Sequence, residues 1–418
     1  MFAISFPQFS FARRNRRSTP VALLLVAILL QVGCTTVIAR SPVPEDKVAT
    51  AAPYGIAAGR FVRIWGDSLG KENSEQILRA RTELLREVKA DEIAAGRPIK
   101  EQMLALSGGG PDGAFGAGLL NGWTARGDRP QFTIVTGIST GAIVALFAFL
   151  GPEYDDELTE IYTTYRTEQL LTRTFFAALT GGTAITSTRG YRGLIEKYID
   201  DDVIARLAEE GRKGRALLIG TTNLDAARPV VWNVTGIAGT GHPSARRLIH
   251  DIIQASSAIP AAFPPVIIPV VAEDGRRYDE MHVDGGATQQ VMLFSTEFPS
   301  RMIDQELGVE FDRTIYVVIN NSLRKPYSPV RPRLLSIAGA AASSLIGGAG
   351  TGDIYKIFAI AVRDGIELNV TSIPPTFDIE PEEPFDPVYM KTLYNLGYEM
   401  GFSGDEWQSV PPDFVPWP

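Results

Sequence analysis

The sequence predicts an α/β fold: three layers, α/β/α, around a mainly parallel central sheet. Three observations point to it. First, short β-branched runs such as Thr314-Ile315-Tyr316-Val317-Val318-Ile319 alternate along the chain with longer helical patterns. Second, residues 132–146 read as a strand, a tight Gly137-Ile138-Ser139-Thr140-Gly141 turn and an apolar helix. Third, residues 102–123 read as a strand, a glycine loop and a helix. Strands that alternate with helices make a predominantly parallel sheet covered on both faces.

The 418 residues are 45% hydrophobic and 21% charged, with 40 glycines and 28 prolines, a globular composition sufficient for one large α/β domain or two smaller ones. The formal net charge is -8, and no basic stripe or basic–aromatic interleaving lies beyond the first residues, so no nucleic-acid partner is expected. Cys34 is the single cysteine, which excludes an internal disulfide framework and a cysteine-rich metal site. No clustered ligand set indicates a metal, and no cofactor is expected.

At the N-terminus, Arg13-Arg14-Asn15-Arg16-Arg17 precedes an apolar run over residues 21–32. The run is shorter than the ~20 residues of a membrane span and fits the core of a signal peptide. It ends in Leu30-Gln31-Val32-Gly33-Cys34, which resembles a bacterial lipobox, with Gln31 where leucine is usual. That resemblance implies a lipoprotein-type signal peptide over residues 1–33 and acylation of Cys34. The protein would then be anchored in the bacterial cell envelope, with Thr35 favouring the outer membrane. A plainly cleaved leader with a periplasmic product, or an uncleaved anchor, stays open. The net negative charge would not draw the protein to anionic lipid, so membrane contact would come from the anchor and local apolar surface.

Residues 34–98 read as a linker followed by a helix over residues 72–95, ended by Gly96-Arg97-Pro98. A catalytic domain is expected over residues 99–372. Its first strand runs into Gly108-Gly109-Gly110-Pro111-Asp112-Gly113. Gly108, Gly110 and Gly113 satisfy the dinucleotide-binding spacing, but in that fold the next strand ends in an acidic residue. Here it ends in Val135-Thr136-Gly137 and passes to Ser139, which argues against a dinucleotide. Glycine amides at a helix N-terminus also form an anion cradle, and beside a nucleophilic serine that cradle is an oxyanion hole. The strand–turn–helix around Ser139 is the setting of a nucleophile elbow, although an ordinary glycine-rich turn has the same pattern.

Residues 151–200 are helical in pattern with a Thr/Gly-rich interruption at 180–188, either a cap shaping a substrate mouth or a layer covering the sheet. Strands follow at 215–222 and 229–234, a helix at 248–258, and a proline-punctuated loop at 256–266. A strand then ends at residues 281–283, before the turn Asp284-Gly285-Gly286-Ala287. After the 314–319 strand, a helix over 334–345 is broken by Gly347-Gly348-Ala349-Gly350, and another helix occupies 353–368. Residues 373–418 read as an acidic, proline-rich C-terminal extension with one helix candidate near 387–401.

A serine nucleophile needs a base. None of His242, His250 and His282 lies in a motif that marks one, and each reads as structural. Asp284 sits at a strand's C-terminal end, where open α/β sheets place their sites, and two glycines leave its carboxylate uncrowded. An Asp-Gly-Gly turn is equally a common structural device.

The glycine loop, Gly137-x-Ser139-x-Gly141 and Asp284-Gly285-Gly286, in that order and with the Ser257-Ala258-Ile259-Pro260 to Pro265 loop between the last two, resemble the patatin-like phospholipase family over about residues 104–290. The resemblance implies a patatin-like fold with Ser139 as nucleophile, Asp284 as the base of a Ser-Asp dyad, and Gly108, Gly109, Gly110 and Gly113 as the oxyanion loop. The implied activity is hydrolysis of lipid carboxylic esters through an acyl-enzyme, with a lipid ester as the partner. One departure stands out: Asp112 occupies the place where the family usually carries Arg or Lys, which disfavours a phosphate nearby. Two alternatives share these residues, a catalytically silent lipid-binding or envelope scaffold protein and a lipid acyltransferase.

Overall fold

The computed structural model describes residues 40–56, 61–170, 172–173, 186–293, 297–323, 329–405, 407–411 and 414. The leader, Cys34 and most of the 180–188 interruption lie outside the described residues.

The described residues form twelve strands: β1 (Ala52–Pro53), β2 (Arg63–Trp65), β3 (Ile99–Leu106), β4 (Ile134–Ile138), β5 (Thr172–Arg173), β6 (Thr186–Ser187), β7 (Ala216–Asn223), β8 (Arg228–Asn233), β9 (Val266–Val271), β10 (Arg277–Asp284), β11 (Phe311–Ile319) and β12 (Glu367–Ser372). Ten of them make one sheet, while β5 and β6 form a small ribbon of their own. The centre, β7-β4-β3-β11-β12, is parallel throughout. The antiparallel strands β10, β9 and β1, and on the other side β8 and β2, complete it. The parallel strands, interleaved with helices, match the expected α/β layering. The antiparallel annex comes from short connections such as the β7–β8 turn, which leave no room for a crossover.

Strand alternation separates two cores. On β3, Leu104 and Leu106 face one apolar cluster and Met103 and Ala105 the other. The first cluster is closed by α2 (Gly113–Arg126), α3 (Thr140–Leu150), α4 (Asp155–Thr163) and α7 (Ala245–Ser256), as well as by α10 (Pro387–Ser403). Two more helices, α5 (Arg189–Tyr198) and α6 (Asp201–Arg212), pack at its edge through Ile195, Val203 and Leu207. The second cluster lies under α9 (Leu334–Asp364), which buries Ile354, Ile357 and Ala361. Nearby, α1 (Gly70–Val88) and α8 (Arg301–Leu307) share a smaller cluster through Leu78, Leu85, Ile303 and Leu307.

Two expectations need correction. The helices expected at 334–345 and 353–368 are one continuous 31-residue helix, and Leu368 belongs to β12. Glycine in a helix interior costs only about 1 kcal/mol relative to alanine, and the packing of the helix's C-terminal half outweighs it. Strand β9 falls directly after the expected proline-rich loop. Its outward residues Ile267 and Pro269 hide the alternation that would have marked it.

Candidate functional site

One strand brings the site together. Residues 216–220 of β7 pair with β4, and residues 221–223 pair with β10 on the same edge, because β8 occupies the opposite edge along residues 218–223. The C-terminal ends of β4 and β10 therefore meet head to head along β7. Ile138 pairs with Gly220 and Asp284 with Thr221, adjacent positions on one ladder. Ser139, the residue after Ile138, thereby faces Asp284, 145 residues away in sequence, and its Oγ donates to Asp284 Oδ2 at 2.7 Å.

Ser139 takes φ 57° and ψ -127°, a backbone region that side chains other than glycine rarely adopt. Holding a residue there costs on the order of 1–3 kcal/mol. The surroundings enforce it. The Ser139 N–H donates to Ser256 Oγ at 2.9 Å, and the Ser256 hydroxyl donates in turn to Gly220 O at 2.7 Å. Gly141 lets the new helix start against β3: a Cβ there would lie 2.5 Å from both Leu106 O and Ser107 O. With α3 starting at Thr140, its positive dipole end points at the serine.

Asp284 is buried, and its other oxygen, Oδ1, accepts from Gly286 N at 2.7 Å. Burial raises its pKa to about 6, against the lowering effect of the hydrogen bonds from Ser139 and Gly286. A carboxylate in this position can take a proton from the serine near neutral pH. None of the three histidines hydrogen-bonds Ser139 or Asp284. His250 Nε2 meets Ile199 O at 2.7 Å, and His242 Nδ1 accepts from Ser244 N at 3.1 Å. His282 is buried between Thr221 Oγ1 at 3.0 Å and Glu280 Oε2 at 3.1 Å. The Glu280 carboxylate can only accept, so the neutral imidazole donates through Nε2–H to it and its Nδ1 accepts from the Thr221 hydroxyl, whose oxygen accepts from Trp232 Nε1–H. Arg63 also pairs with Glu280, and burial lowers the pKa of His282, so this ring is a neutral strut beneath the end of β10.

The four glycines of the loop differ in role. The amide of Gly108 donates to Gln290 O at 3.0 Å, and that of Gly113 is used inside the 3-10 turn Gly110–Asp112. No hydrogen bond among the described residues engages the amides of Gly109 and Gly110, and Gly110 lines a cavity together with Ser139. The loop is braced by Asn320 at the end of β11. Its Nδ2 donates to Ser107 O at 2.9 Å, its Oδ1 accepts from Gly116 N at 3.1 Å, and a Cβ on Gly109 would collide with its carbonyl. Asp112 turns its carboxylate to the Tyr389 hydroxyl, which donates at 2.6 Å.

The cavity beside Ser139 is walled by Ile143, Leu170, Tyr191, Ile259 and Phe263, with Phe385 from the C-terminal stretch. It continues between α3, α4 and α5 past Leu146, Ile161 and Ile195 to Met390. These surfaces are almost wholly apolar. Ser256, Asn320, Gln290, Tyr389 and Phe385 were not singled out by sequence reasoning. Each acts through a partner distant in sequence, and none sits in a local pattern, apart from Ser256 at the start of the Ser256-Ser257-Ala258 loop. Among the described residues, no three His, Cys, Asp or Glu side chains gather as metal ligands.

Residues 104–294 match the family model of patatin-like phospholipases. Among solved structures, VipD from Legionella pneumophila aligns with a TM-score of 0.36 at 14% identity, covering 74% of this chain and 67% of that one. Human GIVD cytosolic phospholipase A2 aligns with a TM-score of 0.30 at 11% identity, covering 79% of this chain and 56% of that one. No curated protein sequence matches the chain.

Proposed function

We infer that this chain, whose residues 104–294 match the family model of patatin-like phospholipases, is a serine hydrolase of lipid carboxylic esters. Members of that family are lipid ester hydrolases. The observation that carries the reading for this chain is the 2.7 Å hydrogen bond from Ser139 Oγ to the buried carboxylate of Asp284, with the serine held in a strained backbone conformation at the edge of an apolar cavity.

An acyl chain enters the apolar cavity and brings the ester carbonyl to Ser139. Asp284 Oδ2 takes the hydroxyl proton as Oγ attacks the carbonyl carbon. Negative charge gathers on the carbonyl oxygen and is met by the amides of Gly109 and Gly110, with the N-terminus of α3 adding its dipole. Asp284 returns the proton to the departing alcohol, leaving the acyl group on Ser139. A water molecule then attacks with Asp284 again as base, and the fatty acid leaves with Ser139 restored. Each oxyanion donor in such an arrangement contributes about 3 kcal/mol to lowering the barrier. The apolar lining supports an acyl chain as the bound moiety. Asp112, which accepts from Tyr389, is a carboxylate in the loop, which favours esters without a phosphate close to the scissile bond.

The lipobox-like stretch supports a further part of the reading: acylation of Cys34 holds the enzyme at a bacterial envelope membrane. Metabolic labelling with an alkyne-tagged fatty acid should mark the full-length chain and not Cys34→Ala.

A panel of soluble short-chain esters, neutral glycerides and phospholipids, assayed with wild type and Ser139→Ala, tests the central reading. Wild type should turn over at least one class, and the variant should lose at least a thousandfold in kcat. A fluorophosphonate probe should label Ser139 in the wild type. Turnover retained in folded Ser139→Ala would sink the assignment.

A further inference from the structure

The N-terminal half of α9 places large apolar side chains at the surface. From Leu334 to Gly352 the helix carries no charged residue. Ile337 is 54% exposed, Leu345 76% and Ile346 40%. The exposed Val330, at 52%, and the exposed Arg331 and Arg333 lead into it. A run of this kind in water leaves apolar area uncovered at about 25 cal/mol for each Å².

Two observations say what covers it. First, the run borders the candidate site. Ser344, Ile346, Gly347 and Thr351 form one wall of a groove whose other wall includes Ser107 and Gln290. Ser107 immediately precedes the glycine loop, and Gln290 O holds the Gly108 amide. The helix is also tied to that wall, since Asp353 Oδ2 accepts from Gln290 N at 2.7 Å and from Val291 N at 3.3 Å. Second, the apolar run is preceded by arginines and free of carboxylates, the pattern of a segment that lies in a lipid headgroup layer. By length and composition, Ser344–Asp364 could also cross a membrane. Its C-terminal part cannot, because Ile354, Ile357, Ile360 and Ala361 are buried in the protein. The run ahead of it presents the exposed Ile337, Leu345 and Ile346, and at 1.5 Å per residue it extends about 25 Å.

We propose that the 330–351 segment is the surface on which the protein docks to a lipid bilayer, laying the groove beside Gln290 and Ser107 against the membrane so that an ester-bearing lipid passes directly to Ser139. This rests on the lipid hydrolase reading for its purpose but not for its test. Docking itself is read with Ser139→Ala protein and vesicles of phosphatidylcholine and phosphatidylglycerol, by co-sedimentation, with and without Ile337→Asp and Leu345→Asp together. The double substitution should cut vesicle association at least tenfold. In the otherwise wild-type chain it should lower turnover of vesicle-borne lipid by a similar factor, while turnover of a monomeric short-chain ester falls less than twofold. Leu345→Trp, compared with the parent, should gain fluorescence that brominated lipid quenches. Unchanged sedimentation, or a gained indole signal in Leu345→Trp that is insensitive to brominated lipid, overturns the proposal. So does a change confined to oligomeric mass, which would assign the face to a second copy of the chain. Failure of the wild type on every ester would instead sink the hydrolase reading and leave the sedimentation result standing.

Discussion

At Asp284, burial and hydrogen bonding oppose one another, and burial wins, raising the carboxyl to about 6. Two consequences follow for one residue. Because the base must be ionised, kcat/KM should rise with pH through about 6 and level off above it, as measured with a soluble ester of pH-independent reactivity. The second concerns stability. A carboxyl raised from about 3.9 unfolded to about 6 folded favours the native state fully below pH ~4, and that contribution is lost as pH climbs through 6. By pH 8 the ionised carboxylate costs on the order of 3 kcal/mol. Asp284→Asn keeps the shape and removes the charge. It should abolish turnover and raise the thermal midpoint at pH 8, with the gap closing toward pH 4. A midpoint lower than wild type at pH 8 would refute this account. Ser256 is a supporting residue of another kind. Ser256→Ala strands the buried Ser139 N–H and Gly220 O, which should cost about 1–3 kcal/mol in denaturant titrations. It should also slow fluorophosphonate labelling by releasing the strained backbone at Ser139.

Between elements, the tightest contact joins α2 to α10. Gly118 and Gly122 on α2 meet the carbonyls of Tyr394 and Tyr398, while Gly397 and Gly401 on α10 meet those of Phe115 and Leu119. Glycines spaced by four on each helix let the two backbones touch. A methyl group at Gly401 would press into Leu119 O and, at 2.9 Å, into Trp123 N, main-chain atoms that cannot rotate away. Gly401→Ala should therefore destabilise by several kcal/mol, a loss readable as a thermal shift, whereas Gly347→Ala on α9, where no described atom lies within 4 Å of the added methyl, should be neutral or slightly stabilising. The paired glycine spacing was legible in the sequence. That the two helices choose each other was not, because spacing marks a close-packing face without naming its partner.

For the molecule as a whole, the C-terminal stretch is structural and touches the site. α10 buries Tyr389, Met390, Leu393 and Tyr394 in the main core, Tyr389 fastens Asp112 of the glycine loop, and Phe385 walls the cavity. Burying four such side chains stabilises by roughly 1.5–3 kcal/mol each, a large share of a domain's net stability. A chain ending at residue 372 should fail to accumulate as folded protein, as judged by solubility and near-ultraviolet circular dichroism. The acidic, proline-rich composition of this stretch concealed its role, since an amphipathic helix close to a chain end reads the same whether or not it docks.

The sequence by itself determined the alternation of strands and helices, the strand–turn–helix around Ser139, the glycine loop ahead of a helix, and the Asp-Gly-Gly turn after a strand. All of these are encoded within a dozen residues by periodicity and by where glycine is required. Only the tertiary structure decided that β7 would carry β4 and β10 on one edge and so set Ser139 against Asp284. It alone commits the Gly108 amide to Gln290 while leaving those of Gly109 and Gly110 unengaged among the described residues. It also made α9 one helix across four glycine-rich residues, with Ile354, Ile357 and Ala361 packed in the core and Ile337 and Leu345 at the surface. Such outcomes depend on pairings between residues a hundred or more positions apart. No local pattern records them, because the energy that selects them appears only when the strands and helices meet.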